Sequence, residues 1–132
     1  MDARLQLRVQ RYGWDAAVPH YHTGWDAQLR PAHNQLLEMA QVSAGQRVIE
    51  TACGSGPVTM RLAEDVGPKG YVLATDLSQG MIDDLQVRLD GRPFALVEAK
   101  RMPAAKLDVP DVAFDAAVCA LGLTLQIRAG PL

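Results

Sequence analysis

Two carboxylates and two glycines lie where apolar segments of this sequence end. The stretch VIETACGSG, residues 48–56, contains Glu50, Gly54 and Gly56, and Asp76 closes the next apolar segment, 22 residues after Gly54. Glycines in a strand-to-helix turn let a ligand approach the backbone N–H groups, and the helix start beyond them favours a negative group. A carboxylate beside such a turn suits an ammonium, and an acid at the second strand end suits ribose hydroxyls. The spacing therefore indicates a ligand that combines a ribose with an amino-acid tail.

The same turn argues against two phosphate-bearing classes of ligand. A phosphate-binding loop needs a lysine followed by serine or threonine after the second glycine, and this sequence has Pro57-Val58-Thr59 there. A dinucleotide-binding fingerprint needs a third glycine where Thr59 stands, and Glu50 would lie close to a pyrophosphate. Half of a nucleotide-dependent oxidoreductase is therefore the weakest hypothesis. A ribose and an amino-acid tail without phosphates describe S-adenosylmethionine.

Apolar runs, prolines and glycines predict the elements that position these residues. Residues 1–30 are predicted to form an irregular or partly helical arm that caps a domain at 31–132, and Pro31 is predicted to open the first helix. Strands are predicted at 47–52, 70–75, 93–99 and 114–121, and further helices at 57–66 and 79–89, the last capped by Ser78. Such alternation favours an α/β fold with a parallel sheet and crossover helices.

Length, charge and cysteine content narrow the class of protein. The 132 residues suffice for one domain with a modest core, and a net charge of −2 gives no field that favours nucleic acid. No apolar stretch approaches the roughly 20 residues of a membrane helix, and the N-terminus has no secretory apolar region. Two cysteines are too few for a disulfide scaffold, and no Cys/His cluster has metal-ligand spacing. We therefore expect a cytoplasmic protein with reduced thiols and without a metal, a nucleic-acid partner or a membrane span.

Three stretches resemble the class I S-adenosylmethionine-dependent methyltransferases, in particular the ubiquinone/menaquinone-biosynthesis type and its small-molecule relatives. They are VIETACGSG at 48–56, VLATDLSQGM at 72–81 and LDVPDVAFDAAVCALGL at 107–123. The family's first motif matches Glu50 to Gly56, with its alanine variant at Ala52, and the acid of its second strand matches Asp76. The resemblance implies a Rossmann-like, doubly wound parallel sheet with strand order 3-2-1-4. It also implies methyl transfer from S-adenosylmethionine to a small-molecule acceptor.

The resemblance further implies which residues contact the cofactor. Glu50, Ala52 and Gly54 would hold the amino-acid end, and Asp76 and Leu77 would hold the ribose and the edge of the adenine. The full implied set is Glu50, Thr51, Ala52, Cys53, Gly54, Gly56, Asp76, Leu77, Met81, Ala104 and Cys119. No catalytic base can be named from the sequence.

The adenine end of the implied site leaves two alignments open. The family's third motif is an Asp-Ala pair whose acid bonds the adenine amine, and it aligns either with Glu98-Ala99 or with Pro103-Ala104. The second alignment gives ordinary spacing to Phe114-Asp115 and is favoured. It replaces the acid with a proline, and the lost contact would weaken cofactor binding by ~1 kcal/mol. Met81 and Ala104 would then pack on or face the adenine.

Both acids and both cysteines also have structural interpretations. Glu50 could be a buried acid that caps the turn, and Asp76 could cap the following helix, although Ser78 competes for that position. The occurrence of both acids with the glycines favours the ligand hypothesis. Cys53 and Cys119 are interpreted as small buried residues near the cofactor rather than as nucleophiles.

The resemblance covers only part of the family's sheet. That sheet has seven strands, and this sequence supplies the first four, which implies an N-terminal portion, a truncated product or a chain completed by another copy. The fourth strand would then lie at an open sheet edge. The alternative function is a non-catalytic remnant that forms a homodimer or binds a partner through this edge. The methyl acceptor is not identified by the sequence.

Overall fold

The computed structural model describes residues 2–92, 96–104, 106–110 and 113–120, and for residues 20–26 it describes the backbone alone. Three helices and four strands lie in these ranges. In chain order they are α1 (Ala3–Ala40), β1 (Arg47–Thr51), α2 (Pro57–Val66), β2 (Tyr71–Asp76), α3 (Gln79–Leu89), β3 (Val97–Arg101) and β4 (Ala116–Cys119).

The four strands form one parallel sheet in the order β3-β2-β1-β4. This confirms the predicted α/β class and the predicted strand order. β1 is central, and its Val48 pairs with Val72 of β2 on one side and with Ala116 of β4 on the other. Parallel neighbours place their carboxyl ends at the same edge of the sheet, so the ends of β1, β2 and β4 lie side by side there.

Helices α2 and α3 cover one face of this sheet. Val58, Leu62 and Val66 recur every four residues on α2 and are buried. They form a cluster with Leu37, Val48, Val72 and Val118. Under α3, a second cluster contains Cys53, Ala74, Ile82 and Leu85. Val72 and Ala74 lie on the same face of β2, because strand side chains alternate, so both helices pack on one side of the sheet.

The N-terminal region differs from the prediction. Residues 3–40 form one continuous helix of 38 residues, with Pro19 and Pro31 inside it. The predicted helix start at Pro31 is therefore wrong, and the arm predicted as irregular or partly helical is helical from Ala3 onwards. Proline removes one helical hydrogen bond and disfavours the interior of a helix. Tertiary contacts outweigh this local signal: α1 bonds to α3 through Asp15, and its Leu37 packs into the core against α2. A separate capping role for residues 1–30 stays a prediction.

Most other element boundaries match the sequence analysis closely. Helices α2 and α3 have the predicted ends, and Ser78 caps α3 as predicted, with its hydroxyl oxygen 3.1 Å from the Met81 nitrogen. Strand β3 runs on to Arg101, two residues beyond its predicted end, and the predicted start of β3 lies outside the described residues. Within the described ranges, no helix has the length and apolar character needed to cross a membrane.

Candidate functional site

The glycine turn, residues 52–56 between β1 and α2, is held by backbone hydrogen bonds to β2 and by a bond within the turn. The Cys53 N–H donates to the Thr75 carbonyl at 3.0 Å, and the Gly56 N–H donates to the Cys53 carbonyl at 3.1 Å. Gly56 has φ +96°, and a Cβ at this position would lie 2.3 Å from Cδ1 of Leu85. Gly56 therefore serves the contact between the turn and α3.

Asp76 joins the glycine turn to the start of α3. Its Oδ2 accepts a hydrogen bond from the Gly54 N–H at 2.9 Å, and its Oδ1 accepts one from the Ser78 N–H at 2.9 Å. Burial raises the pKa of this carboxyl above its usual value, the bonds from Ser78, Gly54 and Leu77 oppose the rise, and the nearby charge of Asp15 adds to it. The aspartate thus brings the carboxyl ends of β1 and β2 into one site.

Glu50 lies beneath the turn rather than on its surface. Its side chain is 1% exposed, and one carboxylate oxygen, Oε1, accepts a hydrogen bond from the Thr59 hydroxyl. Burial raises the pKa of Glu50 to about 8, the bond from Thr59 opposes this rise, and the charge of Asp76 adds to it. In the ligand-free chain, Glu50 therefore holds a proton through most of the neutral pH range. A cation placed beside the turn would favour the ionised form.

Ala52 has φ +54°, a left-handed conformation that costs a non-glycine residue about 1 kcal/mol or more. Strain of this kind is concentrated at binding turns.

We expect Ala52→Gly to raise the free energy of unfolding by about 0.5 kcal/mol, because relief of strain exceeds the added entropy of the unfolded chain. Urea titration of the variant measures this. Ala63→Gly, inside α2, is the matched control and should destabilise the chain by about 1 kcal/mol. Equal losses in both variants would contradict the interpretation.

The remaining residues of the implied set lie around the same edge. Thr51 pairs with Cys119 at the ends of β1 and β4. The N–H of Met102 donates to the Asp76 carbonyl at 3.0 Å, which brings the segment leading to Ala104 beside β2. Met81 is 1% exposed, so its side chain belongs to the interior of the ligand-free chain.

Cys53 is buried against Ala74, Ile82 and Leu85. Burial raises the pKa of its thiol well above the usual value, and the charges of Glu50 and Asp76 add to the rise. The thiol is therefore protonated at neutral pH, which fits a packing residue rather than a nucleophile.

The strand boundaries separate the two alignments at the adenine end. Glu98 is the second residue of β3 and is exposed. It pairs with Leu73 in register, and its carboxylate lies 3.4 Å from the Lys100 ammonium. Pro103 and Ala104 instead follow the end of β3, where the ligand edge of the sheet lies. Glu98-Ala99 therefore lies within the strand and Pro103-Ala104 beyond its carboxyl end, and the adenine contact at either pair stays a prediction.

Sequence reasoning missed two residues of the site. Asp15, on α1, bonds to Ser78 and Gly80 at the start of α3, and no local pattern links positions so far apart in the chain. Thr59 entered the sequence analysis only as a missing glycine, whereas its hydroxyl is the partner of Glu50. Its position on the first turn of α2 was an available signal, because that turn faces the end of β1. Among the described residues, no group of three or more His, Cys, Asp or Glu side chains is placed to hold a metal.

Comparison with known proteins places these features in context. A family profile described as "Methyltransferase domain" matches residues 48–129. A ubiquinone/menaquinone biosynthesis C-methyltransferase of Pseudomonas fluorescens is 36% identical over 66% of this chain and 34% of its own length. A demethylmenaquinone methyltransferase of Lactobacillus johnsonii is 32% identical over 67% of this chain and 37% of its own length. The chain therefore spans about a third of the length of these curated relatives.

Solved structures agree with the fold. A SAM-dependent methyltransferase from Aquifex aeolicus has a TM-score of 0.60 at 23% identity, covering 66% of this chain and 46% of that one. Phosphoethanolamine N-methyltransferase 1 of Haemonchus contortus, solved with phosphoethanolamine and S-adenosylhomocysteine, has a TM-score of 0.75 at 17% identity. That likeness covers 90% of this chain and 26% of the neighbour.

Proposed function

Because the chain belongs to the methyltransferase domain family, whose profile matches residues 48–129, we propose that it forms the cofactor-binding portion of an S-adenosylmethionine-dependent methyltransferase with a small-molecule acceptor. The observation that carries this proposal is the hydrogen bond of 2.9 Å between Gly54 and Asp76. It joins a glycine turn, with a buried acid beneath it, to an acid at the end of the neighbouring strand. This arrangement supports a ligand with a ribose and an amino-acid tail, because an acid at the second strand end suits ribose hydroxyls and a buried acid beside the turn suits an ammonium.

The residues divide the ligand between the two strand ends. Glu50, Ala52 and Gly54 are proposed to face the amino-acid end, where the buried acid suits the ligand's ammonium and the Gly54 N–H stays bonded to Asp76. Asp76 and Leu77 are proposed to hold the ribose and the adenine edge. A carboxylate has about four lone-pair sites, so the backbone bonds from Ser78, Gly54 and Leu77 leave about one site of Asp76 for a ribose hydroxyl.

The flanks of the proposed pocket come from the surrounding elements. Thr51, Cys53 and Gly56 shape the turn, and Cys119 lies beside it on β4. Ala104 is partly buried after the end of β3, in position to border the adenine. Met81 would support the site from beneath, since it is buried under the first turn of α3.

The chemistry of the site depends on placement. When bound, S-adenosylmethionine supplies a methyl group on a positively charged sulfur, and its transfer is governed mainly by the alignment of the acceptor with that methyl. The residues described here hold and orient the cofactor, and none of them is proposed as a base. A homodimer formed through the outer edge of β4 stays a prediction.

Calorimetric titration of the purified chain with S-adenosylhomocysteine tests the proposed function. We expect a dissociation constant in the micromolar range, on the order of −8 kcal/mol, with one ligand per chain. Adenosine should bind more weakly because it lacks the amino-acid end, and NAD⁺ should not compete because Thr59 stands where a dinucleotide site needs its third glycine. A folded chain that binds NAD⁺ but not S-adenosylhomocysteine would contradict the proposal.

A further inference from the structure

Asp15 joins the long helix α1 to the first turn of α3. Its Oδ1 accepts a hydrogen bond from the Gly80 N–H at 3.0 Å and another from the Ser78 hydroxyl. Ser78 is fully buried, and its hydroxyl oxygen in turn accepts a bond from the Met81 N–H at 3.1 Å. Asp15 therefore accepts a hydrogen bond from the Gly80 N–H, which lies in the first turn of α3 and has no partner within that helix.

The same serine connects Asp15 to the proposed cofactor site. The backbone N–H of Ser78 donates to Oδ1 of Asp76, and Oδ2 of Asp76 accepts from the Gly54 N–H. A continuous series of hydrogen bonds therefore leads from α1 through Ser78 and Asp76 to the glycine turn. Displacement of α1 from α3 would remove the first bond of this series and leave the Ser78 hydroxyl without that acceptor.

Close packing at Gly80 brings α1 within reach of α3. A Cβ on Gly80 would lie 3.1 Å from Cγ2 of Val18 and 3.2 Å from Oδ1 of Asp15. Burial raises the pKa of Asp15, but the bonds from Ser78 and Gly80, with the charge of Arg11, outweigh burial and hold this pKa below its usual value. Asp15 is therefore ionised at neutral pH, and its negative charge interacts favourably with the positive end of the α3 helix dipole.

We propose that Asp15 is a positioning residue that fixes the start of α3, so that seating of α1 on Gly80 and cofactor binding at Asp76 strengthen each other. The cofactor half of this inference rests on the proposed function, whereas the anchoring of α3 by Asp15 does not. The mutual effect follows from linkage, because two events that favour the same arrangement of Ser78 and Asp76 must favour each other.

Hydrogen exchange and S-adenosylhomocysteine titration of the full chain test this proposal. In ligand-free Asp15→Ala, we expect faster amide exchange at the first turn of α3 and along the first half of α1, with unchanged exchange in β1 and α2. The dissociation constant should rise about tenfold in Asp15→Ala and less in Asp15→Asn, which keeps an oxygen acceptor but loses the charge. Glu38→Gln, an exposed change on the same helix, should match the wild type. Ligand should also slow exchange within α1 of the wild-type chain.

The outcomes separate the two proposals. Unchanged α3 exchange in ligand-free Asp15→Ala would overturn the role of Asp15, whatever the ligand does. Faster exchange throughout the chain, β1 included, would also overturn the role of Asp15, because the residue would then serve only general stability. Asp15→Asn repeats the exchange measurement with a smaller change in the side chain. A wild-type chain that does not bind S-adenosylhomocysteine would overturn the proposed function and the coupling. Normal binding by Asp15→Ala, with wild-type binding intact, would overturn the coupling alone.

Discussion

Glu50→Gln is expected to stabilise the ligand-free chain by about 3 kcal/mol at pH 7 and to weaken S-adenosylhomocysteine binding roughly 30-fold. The stability gain arises because Glu50 is fully buried, with a pKa raised to about 8, whereas glutamine resembles the protonated acid and never ionises. The binding loss arises because a neutral amide lacks the charge that attracts the ligand's ammonium. Opposite changes in stability and affinity distinguish this result from simple unfolding.

The sign of the pH dependence follows from linkage. The pKa of Glu50 is 4.5 in the unfolded chain and about 8 in the folded chain. Between pH 4.5 and about 8, the folded chain therefore keeps a proton on Glu50 that the unfolded chain has released. The stability contribution of the protonated acid is complete below about pH 4.5 and falls as pH rises to about 8. The variant should therefore match the wild type near pH 4.5, and the difference should grow towards pH 8 by up to ~1.4 kcal/mol per pH unit.

Urea unfolding between pH 4.5 and 8, together with titrations at pH 7, measures both effects. Glu64→Gln, an exposed carboxylate on α2, serves as the control and should change neither quantity appreciably. A Glu50→Gln protein that gains no stability at pH 8 would show that Glu50 is ionised in the folded chain. A variant that binds as tightly as the wild type would remove Glu50 from the proposed ammonium site.

Asp76→Ala is expected to weaken S-adenosylhomocysteine binding by about 100-fold or more and to lower the free energy of unfolding by about 2 to 4 kcal/mol. The affinity is lost with the acceptor for a ribose hydroxyl. The stability is lost because the N–H groups of Gly54 and Ser78 both donate to this carboxylate and would lose their acceptor. A loss of binding by this variant alone therefore does not identify a ribose contact.

Asp76→Asn separates these two roles. The amide retains one oxygen acceptor, so about half of the stability should return, while binding should stay about 100-fold weaker than in the wild type, as in Asp76→Ala. Asp83→Ala, an exposed acid on α3, is the control for loss of a carboxylate near the site. If binding and stability return in parallel in the Asn variant, Asp76 acts only by holding the turn, and its proposed ribose contact is wrong.

The elements were largely predictable because their signals are local. Pro57 at the start of α2, the serine cap of α3 and the apolar run of β1 each act within a few residues, and these boundaries agree with the structure. The alternation of strands and helices of crossover length restricts the sheet to very few topologies, which is why the parallel arrangement followed from the pattern. The strand order came from the family resemblance.

What could not be predicted depends on contacts distant in sequence. Pro31 reads as a helix start, but packing of Leu37 and bonding of Asp15 keep α1 helical through it. The sequence predicted that Asp76 either binds the ribose of a ligand or caps α3. Its carboxylate also accepts a hydrogen bond from Gly54 in the turn after β1, and this contact exists only once β1 and β2 have paired. The burial of Glu50 likewise depends on α2 closing over the strand end through Thr59.

The central position of β1 has a consequence for how the chain assembles. Val48 meets Val72 of β2 across 24 residues of chain, from 48 to 72, but it meets Ala116 of β4 across 68, from 48 to 116. Closing the longer loop costs more entropy, so the β1–β2 pair has the shorter route to formation. Until β4 pairs with β1, one edge of β1 keeps unpaired backbone N–H and C=O groups, which strands of other chains can bind. Among the described strands, β4 is the latest in the chain, and its pairing is thus what covers the second edge of β1.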